Sequence, residues 1–90
     1  MARFLIIDDH PLFREALLSA ISLAFTDATA VEARSINEAL SALAENPAFD
    51  LALLDLNMPG TKGFEGLLEL RTQHPRLPVV GVSGDEESRI

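Results

Sequence analysis

The chain has no cysteine, tryptophan or tyrosine, and its only lysine is Lys62. Without cysteine there is no disulfide framework and no thiol chemistry, which fits a reducing compartment and leads to an expected cytoplasmic location. The other six basic residues are arginines, set against fourteen acids for a net charge of −7. Such a segment does not attract nucleic acid electrostatically. No apolar run approaches the roughly 20 residues needed to span a bilayer, so no membrane contact is expected. The first run is cut off by Asp8-Asp9, too early for a signal peptide. Internal repeats, low-complexity tracts and linkers are also missing. What is present is a 48% hydrophobic chain of 90 residues, enough for one small domain over residues 1–90.

Three runs are continuously apolar, as strands buried on both faces of a parallel sheet must be. They are Phe4-Leu5-Ile6-Ile7, Leu51-Ala52-Leu53-Leu54 and Val79-Val80-Gly81-Val82. A further strand from Ala28 to Arg34 alternates apolar and polar residues, as at a sheet edge. Between the strands lie helical patterns. Pro11 suits the first turn of one helix, and Phe13, Ala16, Leu17, Ala20, Ile21 and Ala24 recur on one face of it. Ser35-Ile36-Asn37-Glu38 reads as a capping box, followed by the stripe Ile36, Ala39, Leu40 and Leu43 and a stop at Asn46-Pro47. A third helix spans about Gly63 to His74, with Phe64, Leu67, Leu68 and the stem of Arg71 toward the sheet. Asp85-Glu86-Glu87 has the acidic character of a fourth helix start. Alternating strands and helices with right-handed crossovers predict an α/β, doubly wound parallel sheet.

In such a sheet the active crevice lies outside the carboxyl ends of the strands. Here those ends carry Asp8-Asp9, Asp55 and Ser83-Gly84. An aspartate that accepts a phosphoryl group needs a cation beside it to offset the incoming negative charge. Mg²⁺ takes oxygen ligands and keeps several waters, so Asp8, Asp9 and Asp55 suffice as its protein ligands. A small hydroxyl such as Ser83, followed by glycine and a helix start, is suited to hold the transferred group.

Together, Asp8-Asp9, Asp55-Leu56-Asn57-Met58-Pro59-Gly60 with Gly63, and Ser83-Gly84 resemble the signature of bacterial response-regulator receiver domains. The segment Asp8-Asp9-His10-Pro11-Leu12-Phe13-Arg14 resembles more narrowly the NarL/LuxR-type transcriptional regulators. The resemblance implies a flavodoxin-like strand order, 2-1-3-4, and a phospho-accepting switch of a two-component system. Asp55 would take phosphate from a sensor histidine kinase, with Mg²⁺ as cofactor. Asp9 would ligate the metal directly, Asp8 largely through water and Asn57 through its backbone carbonyl, with Ser83 as the switch hydroxyl. Such a domain is not a metabolic enzyme; slow autophosphorylation and autodephosphorylation are the most it implies. A homodimer is expected, with DNA bound only through a C-terminal domain outside these residues. The family's fifth strand with its lysine and aromatic switch residue, and its fifth helix, have no counterpart here. A partial receiver, truncated from a longer chain, is therefore expected, with the fourth strand as an unpaired edge.

Each residue has a plainer reading. An Asp pair after a strand is commonly a solvated turn, a lone strand-end aspartate a helix cap or loop acid, and a strand-end serine a helix cap. The three motifs in order outweigh those readings. A receiver-like interaction module that works without phosphate is the alternative, favoured by the missing lysine and opposed by the complete acidic pocket. An aspartyl-phosphate hydrolase would want a second acid where Asn57 stands. Lys62 receives no phosphate role. His10, beside Pro11 at a helix start, is read as a rim residue rather than a relay or metal ligand. His74 is read as a helix-end residue, and Phe13, Phe25, Phe49 and Phe64 as core.

Overall fold

A computed structural model of the chain describes residues 2–56 and 63–82. Seven elements alternate: β1 (Arg3–Ile7), α1 (Pro11–Ala24), β2 (Thr29–Ala33), α2 (Ile36–Glu45), β3 (Leu51–Asp55), α3 (Gly63–Gln73) and β4 (Val79–Val82). All strand pairs are parallel and the order is β2-β1-β3-β4, the order expected. Among the described residues no helix is long and apolar enough to cross a membrane. The expected helix start at Asp85-Glu86-Glu87 lies outside the described residues.

β1 is central because it is the most apolar strand. Phe4, Leu5, Ile6 and Ile7 are all buried, so both faces of the strand need cover. On one face, Leu5, Ile7, Ala52 and Leu54 pack with Ile36, Ala39 and Leu43 of α2 and Leu70 of α3. By the two-residue alternation of a strand, Phe4 and Ile6 point to the other face. There the Phe4 ring meets Phe25 at 5.4 Å between centroids.

Several expectations about the helices need correction. Phe25 is 52% exposed rather than core; only one side of its ring packs on the sheet. In α3 the residue that enters the core is Leu70, fully buried, while Leu68 is 67% exposed and Arg71 is exposed. The reason is helical phase: Leu67 and Leu70, three residues apart, share the inward face, and Leu68 lies about 100° away from Leu67. Of the expected apolar face of α1, Phe13, Leu17 and Ile21 are half-buried while Ala16, Ala20 and Ala24 are exposed; no α1 residue is fully buried, so Phe13 is not core. Phe49 is core, and the side chain of Phe64 is outside the description.

The α2 start is half a capping box. The Ser35 hydroxyl accepts the Glu38 backbone N–H at 3.1 Å. The Glu38 carboxylate reaches one residue further back than the box requires and accepts the Arg34 backbone N–H at 2.9 Å. That hydrogen bond is the main reason the Glu38 carboxyl titrates below its ordinary value. This support is therefore present above the unfolded-state pKa and fades as pH falls through the lower, folded one. Removing the cap in Ser35→Ala leaves one helical donor unserved and should cost about 1 kcal/mol. The measurement is urea unfolding, read as a lower midpoint at constant slope.

Beside the carboxyl ends of the strands, Gly81 leaves room for its neighbour's side chain. A Cβ at Gly81 would lie 3.0–3.1 Å from Cγ, Cδ1 and Cδ2 of Leu56. Leu56 directly follows Asp55, and its backbone N–H extends the ladder to Val82 O at 2.8 Å. In Gly81→Val, overpacking of about 1–3 kcal/mol opposes the roughly 0.5–1 kcal/mol gained by replacing glycine in a strand. We expect a net loss of about 1 kcal/mol by denaturant titration. An amide shift at Leu56 or Asp55 would show that the strain reaches the strand end.

Candidate functional site

Register brings the acids together. β1 and β3 pair as Phe4↔Leu51 through Ile7↔Leu54. One step further along both strands are Asp8 and Asp55. Neighbouring strands lie about 4.8 Å apart, so their carboxylates emerge side by side at the same end of the sheet. Asp55 in turn pairs with Val82 of β4. Asp8 and Asp55 are the only buried charged residues among those described, and Asp9 is partly exposed. Burying two carboxylates against each other is costly unless cationic or donor groups face them.

Those groups come from α1, which follows directly. The backbone N–H of His10 donates to Asp8 Oδ1 at 2.8 Å, an Asx-type turn that aims the chain into the helix. Pro11 then occupies the first turn, where a missing N–H leaves nothing unserved. One turn on, Arg14 Nη1 donates to the Asp8 carbonyl at 2.8 Å and Nε to Glu32 Oε1 at 2.6 Å. Arg14 thus ties the end of β1 to β2 and sets where Asp8 sits.

The His10 ring enters the acidic cluster. Its Nδ1 lies 3.1 Å from Asp8 Oδ1 and 3.2 Å from Asp55 Oδ2, within hydrogen-bond reach of both. Asp9 Oδ1 is 3.0 Å from the same nitrogen without making a hydrogen bond, so that contact is between charges only. The Asp8 hydrogen bond and then the charge of Asp9 are the leading reasons the imidazole holds its proton above the ordinary histidine range. The His10 side chain is 55% exposed, as a rim residue should be, but the rim reading omitted its place in the cluster. The sequence places His10 beside Asp8 and Asp9, but its approach to Asp55 depends on the pairing of β1 with β3.

One ring N–H cannot serve Asp8 Oδ1 and Asp55 Oδ2 fully at once, and Asp9 Oδ1 makes no hydrogen bond. Asp8 Oδ2 is buried and has no hydrogen-bond partner. One ligand atom each from Asp8, Asp9, His10 and Asp55 lies within 4.8 Å of the others. Oxygen donors in excess of the available protons are what a hard divalent cation requires, so the residues present fit Mg²⁺. Asn57, Lys62 and Ser83, with the Met58-Pro59-Gly60 loop, lie outside the described residues. The structure therefore brings together Asp8, Asp9 and Asp55 of the expected residues, and adds His10.

Residues 4–90 match the response regulator receiver domain. The chain is 43% identical over 90 residues to the glycerol metabolism activator of Pseudomonas putida, covering 100% of this chain and 41% of that protein. It is 46% identical over 88 residues to the nitrate/nitrite response regulator protein NarL of Escherichia coli K12, covering 96% and 40% respectively. It thus spans about two fifths of the length of these relatives. A solved structure of the response regulator TrrA from Thermotoga maritima, in complex with Mg²⁺-BeF, superposes with a TM-score of 0.81 at 29% identity. That match covers 99% of this chain and 75% of the other. A LuxR family DNA-binding response regulator from Silicibacter pomeroyi gives 0.78 at 28% identity, covering 90% and 62%. With paired strand-end acids on a 2-1-3-4 parallel sheet, and a family match across nearly its whole length, the chain belongs to the response regulator receiver domains, signalling domains of two-component systems.

Proposed function

We propose that this domain is a phosphorylation switch in which Asp55 takes a phosphoryl group from a phosphohistidine of a sensor kinase. The observation that carries this reading is the buried pair of Asp8 and Asp55 at adjacent strand ends, with a buried carboxylate oxygen that nothing satisfies. A carboxylate oxygen of Asp55 forms a bond to phosphorus as the bond from phosphorus to the kinase imidazole breaks, and the imidazole leaves with that electron pair. Asp8 and Asp9 hold the cation, with the Asn57 carbonyl as a further donor. When bound, Mg²⁺ neutralises charge on the phosphoryl oxygens, which is most of what phosphoryl transfer demands. Arg14, through the Asp8 carbonyl, keeps the end of β1 in position during transfer. Ser83, following Val82 in sequence, is assigned the switch hydroxyl. The output is regulation of transcription, a reading supported by the likeness to a LuxR family DNA-binding response regulator.

Mg²⁺ should bind weakly in an NMR titration, and Asp9→Ala or Asp55→Ala should each lower its affinity at least about tenfold, roughly 1.4 kcal/mol. Unchanged binding in both variants would refute the metal assignment.

The nucleophile is tested by labelling. The substrate is this domain supplied with a receiver's fifth strand and its lysine, given Mg²⁺ and a phosphorylated kinase or acetyl phosphate. Intact-protein mass spectrometry should show one added phosphate in the parent and none in Asp55→Asn. Label on Asp55→Asn at the parent's rate and stoichiometry would remove Asp55 from the role.

A further inference from the structure

Glu32 stands outside the acidic cluster, on the edge strand β2, yet one side chain ties it to the cluster. We propose that Glu32 is a positioning residue of the strand-end site, holding the Arg14 guanidinium on the Asp8 carbonyl and off the carboxylates. This rests on the reading that the three aspartates hold a divalent cation.

β1 and β2 pair in parallel, with Ile6 opposite Glu32 and Ile7 opposite Ala33. Ala33 is buried in the core with the α2 residues, so by the alternation of a strand Glu32 lies on the other face, where α1 sits. Arg14 is the one charged residue among the half-buried positions of α1. Its side chain is 14% exposed, against 44% for Glu32. A guanidinium so nearly buried needs acceptors for its rigid fork of donors. Glu32 Oε1 accepts Nε at 2.6 Å, and the Asp8 carbonyl accepts Nη1 at 2.8 Å.

Of these two acceptors only Glu32 is charged, so it decides where the cation of Arg14 rests. Asp8, whose carbonyl holds Nη1, also carries a carboxylate, and Asp9 follows it. Without Glu32 the guanidinium is left with a neutral acceptor beside two acids, and it turns onto them. There it spends oxygens that would serve the metal and repels the metal as a like charge. Glu38 also feels the charge of Arg14, but its carboxylate is engaged by the backbone and side chain of Arg34. An exposed ion pair that serves stability alone contributes little, and its loss leaves cation binding unchanged.

The test compares the parent, Glu32→Gln, Arg14→Met and the double variant by NMR, first without metal. Mg²⁺ is then titrated at low ionic strength, where charge effects are least screened. Glu15→Gln removes an exposed acid beside Arg14 in sequence and reports the general effect of one lost negative charge. Without metal, Glu32→Gln should shift the backbone carbonyl carbon of Asp8 and a side-chain carboxyl carbon of Asp8 or Asp9. It should also speed solvent exchange of the Arg14 Nε–H, and Glu15→Gln should do none of these. In the titration, Glu32→Gln should lower Mg²⁺ affinity by about threefold or more, and Glu15→Gln by less than about twofold. In the Arg14→Met background, Glu32→Gln should change affinity by less than about twofold, because Glu32 acts only through Arg14. Asp8 and Asp9 signals that Glu32→Gln leaves unmoved without metal overturn the proposal. So does a loss of affinity that Glu15→Gln equals, or one that persists without Arg14. Failure of the parent to bind Mg²⁺ would instead count against the cation reading. The metal-free shifts then decide the role of Glu32, and they also decide it where the double variant does not fold.

Discussion

The parallel pairing of β1 with β3 is the constraint on which the rest depends. Both strands are apolar almost to their last residue, and both end in an aspartate at the same step of the ladder. Burial of Leu5, Ile7, Ala52 and Leu54 in one core fixes the register, because a slip of one residue would turn each apolar set to the wrong face. Once that register is set, Asp8 and Asp55 have nowhere to go but against each other. The hydrophobic core therefore creates the electrostatic problem at the strand ends.

What holds the charges in place is the first turn and a half of α1. The Asx-type turn at Asp8, the proline at the helix start, the His10 ring and Arg14 all lie within seven consecutive residues. Arg14 contributes by gripping a carbonyl rather than a carboxylate, so it positions Asp8 without consuming its oxygens. The acids retain unspent acceptor capacity at Asp8 Oδ2, which is the chemical property a cation site needs. On the far side, Leu56 fills the space left by Gly81 and ties the end of β3 to β4.

Much of this was legible in the order of residues. Continuous apolar runs ending in Asp identified the buried strands and the acidic end of the sheet. The alternation in β2 marked an edge strand, and the Ser35 cap was visible from its spacing to Glu38. The failures have a common origin. Phe25 and Leu68 are apolar residues that composition assigns to a core, but exposure depends on helix phase and on what packs opposite. Leu70 was missed for the same reason, since within the sequence Glu65-Gly66-Leu67-Leu68-Glu69-Leu70 two phases compete and only the sheet beneath selects one. The Glu38 carboxylate bonding to Arg34 rather than to Ser35 is a matter of a single rotamer.

By itself the sequence determined the fold class, the family, and the identity of the three acids, because these rest on hydrophobic periodicity and on residue types at strand ends. Those are properties of the chain's local order. Only tertiary structure decided that His10 joins the acids. The ring's position results from three separate elements meeting: the end of β1, the end of β3 and the start of α1. Each leaves the ring free to face solvent when taken alone. The charge of two buried carboxylates from strands 47 residues apart in sequence draws it inward, and that attraction exists only after the sheet has formed.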